Sequence, residues 1–204
     1  MVFLGPDGVG KSTVLEAAKE DLRGAFYDVT YRTYAPMLLR RATLDGKGPP
    51  PHSLRPRSKA AAFAKAIYWA GYYSLGYFPT AYRDRARAAL AINHRYLVDA
   101  IVDPRRYRYS GPVSLISAIW KFVPKPDLVI LLDAPADVIQ ARKKEVEHAE
   151  CSRQVTAYRK LVGAMENGRI IDAARPVDDV IADVDRTILD ALFERTSRRL
   201  GTIS

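Results

Sequence analysis

Apolar residues along the chain fall into short continuous runs separated by longer stretches of helical period. Val2-Phe3-Leu4 is a short apolar strand that stops at Gly5. Residues 12–23 then place Leu15, Ala18 and Leu22 on one helical face. Residues 26–32 alternate and predict a second strand, with Tyr27, Val29 and Tyr31 on one side. A long helix is predicted from Ser58 to about Phe78, ended by Pro79, and Leu90-Ala91-Ile92-Asn93 reads as a third strand. Residues 112–123 predict an amphipathic helix. Asp127-Leu128-Val129-Ile130-Leu131-Leu132 is the clearest strand, a continuous apolar run suited to a sheet covered on both faces. Pro135 opens another helix, because proline suits the first helical position. Residues 150–167 put Val155, Tyr158, Leu161, Val162 and Met165 on one side, with Gly168 as the stop. Ile170-Ile171 is a fifth strand, and Val180, Val184, Ile188 and Leu192 mark a closing helix. Five strands separated by helices predict an α/β fold: a parallel sheet with helices on both faces.

A chain of 204 residues suits one domain with a lid. Residues 45–59 turn to Gly, Pro and basic residues, including Pro49-Pro50-Pro51, and read as a mobile loop between elements. The composition, 48% hydrophobic and 27% charged, is that of a soluble globular protein. A formal charge of +9 admits nucleic acid, an anionic membrane surface or a polyphosphate site. Many of the Arg and Lys stand beside motifs rather than in one tract, which favours phosphate. No RNA or DNA module and no sequential aromatic–basic pattern accompanies the charge, so nucleic acid is not the expected partner. The one cysteine, Cys151, cannot close an internal disulfide and suits a reducing, cytoplasmic setting. No signal peptide is expected from an apolar start that ends at Leu4, and no membrane span from a stretch that holds Lys65 and Gly71. Tyr68, Trp69, Tyr72 and Tyr73 could stack on a base, but their helical spacing favours core or homodimer packing.

The pattern G-x-x-x-x-G-K-[ST] is met by Gly5, Gly10, Lys11 and Ser12 within Gly5-Pro6-Asp7-Gly8-Val9-Gly10-Lys11-Ser12-Thr13. It stands between a predicted strand and a predicted helix, as the chemistry requires. Glycines allow successive backbone N–H groups to turn inward as a nest for phosphate oxygens, and the helix start adds its positive end. Lys11 reaches the transferring phosphates, and the Ser12 hydroxyl can ligate Mg²⁺. ATP and Mg²⁺ are the cofactors this predicts, and the absence of Asn-Lys-x-Asp argues against guanine.

Over nearly its whole length the sequence resembles the thymidylate kinase family, within the nucleoside monophosphate kinases of the P-loop NTPase fold. The anchors are the glycine loop, His94-Arg95-Tyr96, Pro124-Lys125-Pro126-Asp127 with the apolar run to Asp133, and Ile171-Asp172-Ala173. The run Val102-Asp103-Pro104-Arg105-Arg106-Tyr107-Arg108-Tyr109 resembles a divergent, thymidylate-kinase-like branch. The resemblance implies phosphoryl transfer from ATP to a nucleoside monophosphate, dTMP in the family's own case. It implies that Asp7 contacts the acceptor sugar, that Arg95 binds the acceptor phosphate, and that Arg32 fills a second acceptor-phosphate role. Ala173 and Ala174 would lie near adenine, beside the loop residues Gly8, Val9 and Thr13. The loop itself holds no arginine, so a short helical lid at about 142–154 would supply one, Arg142 first and Arg153 second. A lid arginine would stabilise the charge that develops in transfer, and closure would exclude water. Such a charged run also fits a solvated helix face.

The main departure is His94, where the family has aspartate. Mg²⁺ prefers oxygen ligands, so imidazole replaces that carboxylate poorly. Three consequences stand open: another acid, among Asp7, Asp99, Asp103 and Asp133, takes over; the acceptor is a hydroxyl on a sugar or metabolite with His94 as base; or turnover is slow or absent. Asp133 reads equally as an acid at a strand end or as a helix cap before Pro135. Arg105, Arg106 and Arg108 either bind acceptor phosphate or pair with Asp99 and Asp103. A regulatory or nucleic-acid-binding protein with weak ATPase is the reading from another class.

Overall fold

Continuous apolar runs need cover on both faces, and the runs at residues 2–4 and 128–132 are buried throughout. The computed structural model describes residues 1–32, 58–75, 84, 86–87 and 89–201, of Tyr31, Arg32 and Arg199 the backbone alone. In chain order the main elements are β1 (Val2–Leu4), α1 (Lys11–Asp21), a 3₁₀ turn (Leu22–Gly24), β2 (Val29–Arg32), α2 (Lys59–Leu75), β3 (Leu90–Asn93) and α3 (Asp99–Val102). They continue with α4 (Val113–Phe122), β4 (Val129–Asp133), α5 (Ala136–Arg142), α6 (His148–Gly163), β5 (Gly168–Asp172) and α7 (Val177–Leu200). The strands form one five-stranded parallel sheet in the order β2-β3-β1-β4-β5, the α/β arrangement expected. The chain clusters into two compact units, residues 1–29 with 126–204, and residues 30–125.

In the first unit, β1 and β4 pair from Val2 opposite Val129 to Leu4 opposite Leu131, and β4 and β5 pair down to Asp133 opposite Asp172. Phe3, Leu4, Ile130, Leu131 and Leu132 are fully buried. Each such side chain contributes about 1.5–3 kcal/mol relative to exposure. Helix α1 packs on α7, using Leu15 and Ala18 against a face that includes Val180, Val184 and Ile188, while α6 covers β4 and β5. In the second unit, α2 buries Ala62, Ala66, Trp69 and Tyr73 at spacings of four and three, and packs against α4. Trp69 and Tyr73 are thus core residues.

Several boundaries move for local reasons. The second strand starts at Val29 rather than Phe26, because the 3₁₀ turn and a bend carry the chain past Asp28 and leave Tyr27 80% exposed. Pro135 is the cap of α5, in extended backbone, one position before the helix proper. Helix α6 ends at Gly163, and Gly168 opens β5 instead of stopping the helix. Most of the expected loop, and the expected stop at Pro79, lie outside the described residues. Among the described residues no helix is long and apolar enough to cross a membrane.

Candidate functional site

The carboxyl end of β1 runs directly into the glycine loop. Gly5, Gly8 and Gly10 hold φ of 139, 92 and 103°, in the region side chains avoid. A Cβ at Gly5 would sit 2.6 Å from the carbonyl oxygen of Leu132, and one at Gly8 would sit 2.9 Å from the Cβ of Lys143. Gly5 and Gly8 therefore lie against the end of β4 and the end of α5 with no room for a Cβ. Gly10 caps α1 without a side chain, and no acid stands in that helix's first turn. The positive end of α1 is left for an anion.

Lys11 is buried, and its Nζ donates to the carbonyls of Gly5 and Pro6, each at 2.7 Å. Asp7 stands 3.9 Å from the same ammonium. The ammonium is thus folded back over the loop it belongs to, where phosphate oxygens would compete with two neutral carbonyls for it. Ser12 and Thr13 are exposed on the first turn of α1, and Val9 is buried beneath the loop.

Arg142, at the end of α5, ties the loop to the segment after β5. Its Nη1 donates to the carbonyl of Ala173 at 2.9 Å and to that of Val9 at 3.3 Å. The N–H of Ala173 donates to the carbonyl of Asp133 at 2.7 Å, and that of Ala174 to the carboxylate of Asp172 at 2.9 Å. One guanidinium therefore spans two of the loops expected around ATP. Arg153 lies on the exposed face of α6, paired with Glu150 at 2.6 and 2.7 Å. Only residues 143–147 separate α5 from α6, and much of the expected lid is the first turns of α6. Asp133 does not cap α5; its carboxylate receives the Nε of Arg159 from α6. Cys151 is buried, and that burial raises its thiol pKa, as befits a packing residue.

In the second unit, β3 ends at Asn93, and half-buried His94 and buried Arg95 follow directly. Arg95 Nη1 lies 2.5 Å from a carboxylate oxygen of Asp99, whose side chain is only 1% exposed. The Tyr107 hydroxyl donates to that same oxygen at 2.7 Å. Burial, then the Asp99 charge, pushes the Tyr107 phenol well above its usual pKa of 10, which keeps it a proton donor. Lys65 donates to the Tyr107 carbonyl and lies 5.0 Å from the Trp69 ring, while Trp69 meets Tyr107 edge-on at 5.6 Å. These contacts fix the turn at residues 104–109 onto α2. Asp103 is buried and accepts the Arg106 N–H at 3.1 Å, and Arg105 is exposed. Arg32 ends β2, and its side chain lies outside the description.

Two side chains in these networks were not singled out by sequence. Arg159 meets Asp133 from 26 residues away, and no local pattern marks it. Tyr107 sits in the arginine-rich run, and its reach back to Asp99 follows from the turn, which no motif encodes.

The donor set also bears on a metal. Among the described residues no group of three His, Cys, Asp or Glu side chains is placed to hold an ion. The Ser12 hydroxyl fits an ion that arrives on nucleotide phosphates, as Mg²⁺ commonly does. The glycine loop, with no room for a Cβ at Gly5 and Gly8 and with the start of α1 uncapped by a side chain, fits the phosphates of ATP.

No family model matches the sequence. The probable thymidylate kinase of Caldivirga maquilingensis is 26% identical over 203 residues, covering 91% of this chain and 91% of that protein. The probable thymidylate kinase of Pyrobaculum aerophilum is 29% identical over 195 residues, covering 90% and 93%. The thymidylate kinase of Xanthomonas campestris pv. campestris is 28% identical over 120 residues, 54% of this chain and 50% of that protein.

Proposed function

We infer that this chain, a divergent thymidylate-kinase-like protein, is an ATP-dependent kinase that phosphorylates a nucleoside monophosphate. The observation that carries the reading is the loop from Gly5 to Gly10, with glycines at positive φ at positions 5, 8 and 10 and the Lys11 ammonium bent over it at the positive end of α1. Backbone N–H groups of the loop would take the phosphate oxygens, and Lys11 would leave the Gly5 and Pro6 carbonyls for the transferring group. That exchange puts positive charge where negative charge develops, which is the main catalytic need in phosphoryl transfer. Arg142 would order the loop and the Ala173 segment around the nucleotide. Mg²⁺ bound with Ser12 would supply further neutralisation of the phosphates. Arg95 and Arg32 would serve the acceptor, with Asp7 on its sugar.

The finer assignment is dTMP, supported by the names of the relatives. Coupled ADP release against a panel of nucleoside monophosphates tests it: dTMP should give the highest kcat/KM, and ATP turnover indifferent to every acceptor would defeat it. A second reading, transfer to a hydroxyl with His94 as base, draws on the Arg95–Asp99 pair, since a compensated arginine suits a less charged acceptor. We also take the protein to work as a cytoplasmic homodimer, supported by the single reduced cysteine and by exposed Phe63 and Ile67 on one face of α2. Light scattering after gel filtration would show twice the chain mass.

A further inference from the structure

We propose that Asp99 determines specificity as a built-in counter-anion of Arg95, weakening the hold of this arginine on an acceptor phosphate and favouring less charged acceptors. The proposal rests on the kinase reading above, in which Arg95 serves the acceptor.

Arg95 stands two residues past the carboxyl end of β3, the end at which open parallel sheets place their ligands. Its side chain keeps 11% of its surface exposed, so it is not sealed from solvent. Asp99 sits one helical turn on, at the start of α3, with its carboxylate 2.5 Å from Nη1 and 1% exposed. Asp99 is too buried to touch an acceptor, so it acts through Arg95.

Two effects of that carboxylate oppose each other. It fixes the arginine rotamer, which helps any ligand that needs a pre-set donor. It also places a negative charge a few ångströms behind the guanidinium, where an incoming phosphate would feel it through a poorly screening interior. Rotamer freedom in one arginine is a modest quantity, whereas repulsion acts on each charge of a phosphate dianion. Repulsion therefore wins for a dianion and vanishes for a neutral alcohol. Tyr107 does not alter that balance, because its hydroxyl donates to Asp99 without changing the net charge.

The test compares dTMP with thymidine as acceptors and, by calorimetry, as ligands, in the wild type, Asp99→Asn, Asp99→Ser and Tyr107→Phe. Asp99→Asn should raise the dTMP-to-thymidine ratio of kcat/KM or of affinity by about tenfold or more. KM for ATP should stay within about twofold, and Tyr107→Phe, which keeps the carboxylate, should leave the ratio within about twofold. An unchanged or lowered ratio, or an equal change for both acceptors, would overturn the proposal and leave a purely structural Asp99. Asp99→Ser replaces the asparagine variant if that fails to fold. With neither variant folded, the wild type decides: dTMP binding less than about tenfold tighter than thymidine upholds the proposal, and a larger gap overturns it. If the wild type turns over neither acceptor, the calorimetric ratios alone judge Asp99, and the panel of nucleoside monophosphates judges the kinase reading.

Discussion

The Nε of Arg159 lies 3.0 and 2.9 Å from the two carboxylate oxygens of Asp133, so the acid that ends β4 is engaged by a cation from α6. Mg²⁺ would have to displace that cation to use Asp133. Arg159 is 49% exposed, which limits the pair to about 1 kcal/mol or less. Asp133→Asn should lower the unfolding free energy by that amount and leave the Mg²⁺ dependence of turnover within about twofold. A large rise in the Mg²⁺ requirement would return Asp133 to the metal.

The glycine loop should rank its own substitutions. Gly5→Ala meets both a φ of 139° and a carbonyl oxygen at 2.6 Å, whereas Gly10→Ala meets a φ of 103° in open space. Left-handed backbone costs about 1–2 kcal/mol, and the clash adds to that for Gly5 alone. Urea unfolding should place Gly5→Ala below Gly10→Ala in stability.

Lys11→Met keeps an unbranched chain over the loop but leaves the buried Gly5 and Pro6 carbonyls without this donor, so the fold should persist with about 1–3 kcal/mol less stability. Its kcat should fall by about 10²–10³, the usual cost of removing one donor from a developing oxyanion. Circular dichroism with single-turnover kinetics checks both halves of that statement.

Arg142→Ala removes the only bond described between the Val9 carbonyl and the Ala173 segment. Hydrogen exchange at residues 9 and 173 should quicken, and KM for ATP should rise by about tenfold, one lost charge-assisted hydrogen bond. A fall in kcat alone would mark Arg142 as a group that acts only in the transition state.

Asp185 on α7 has its pKa raised from 3.8 to about 6, by burial first, then by the charge of Asp21 and a shared hydrogen bond. The folded state therefore binds this proton more tightly than the unfolded one. Stability should fall as pH rises from about 4 through about 6. Because the group is only half-buried, screening keeps the loss to about 1 kcal/mol or less. Asp185→Asn should flatten the difference: equal to or below wild type at pH 4.5, above it at pH 7.5, by thermal unfolding.

What the sequence revealed depended on range. The glycine loop was legible because its requirements are local: positive φ at fixed positions, a strand before and a helix after. The β4 run was legible because a strand buried on both faces has no polar alternation to disguise it. The start of β2 was not, since a turn and bend at residues 25–27 interrupt an alternating pattern that reads as strand from Phe26. After β3 the residues Arg95 and Asp99 were visible singly, but their 2.5 Å pairing depends on a helical turn at α3 that is only four residues long. Asp133 showed the same limit, because its partner arrives from a helix 26 residues away.

The most direct measurement follows phosphorus itself, by ³¹P NMR of the protein with ATP, Mg²⁺ and dTMP. Kinase action predicts that the dTMP resonance gives way to the paired resonances of dTDP, in step with ADP, and that Lys11→Met slows both by about 10²–10³. Inorganic phosphate appearing with ADP while dTMP stays intact would contradict transfer to a nucleotide.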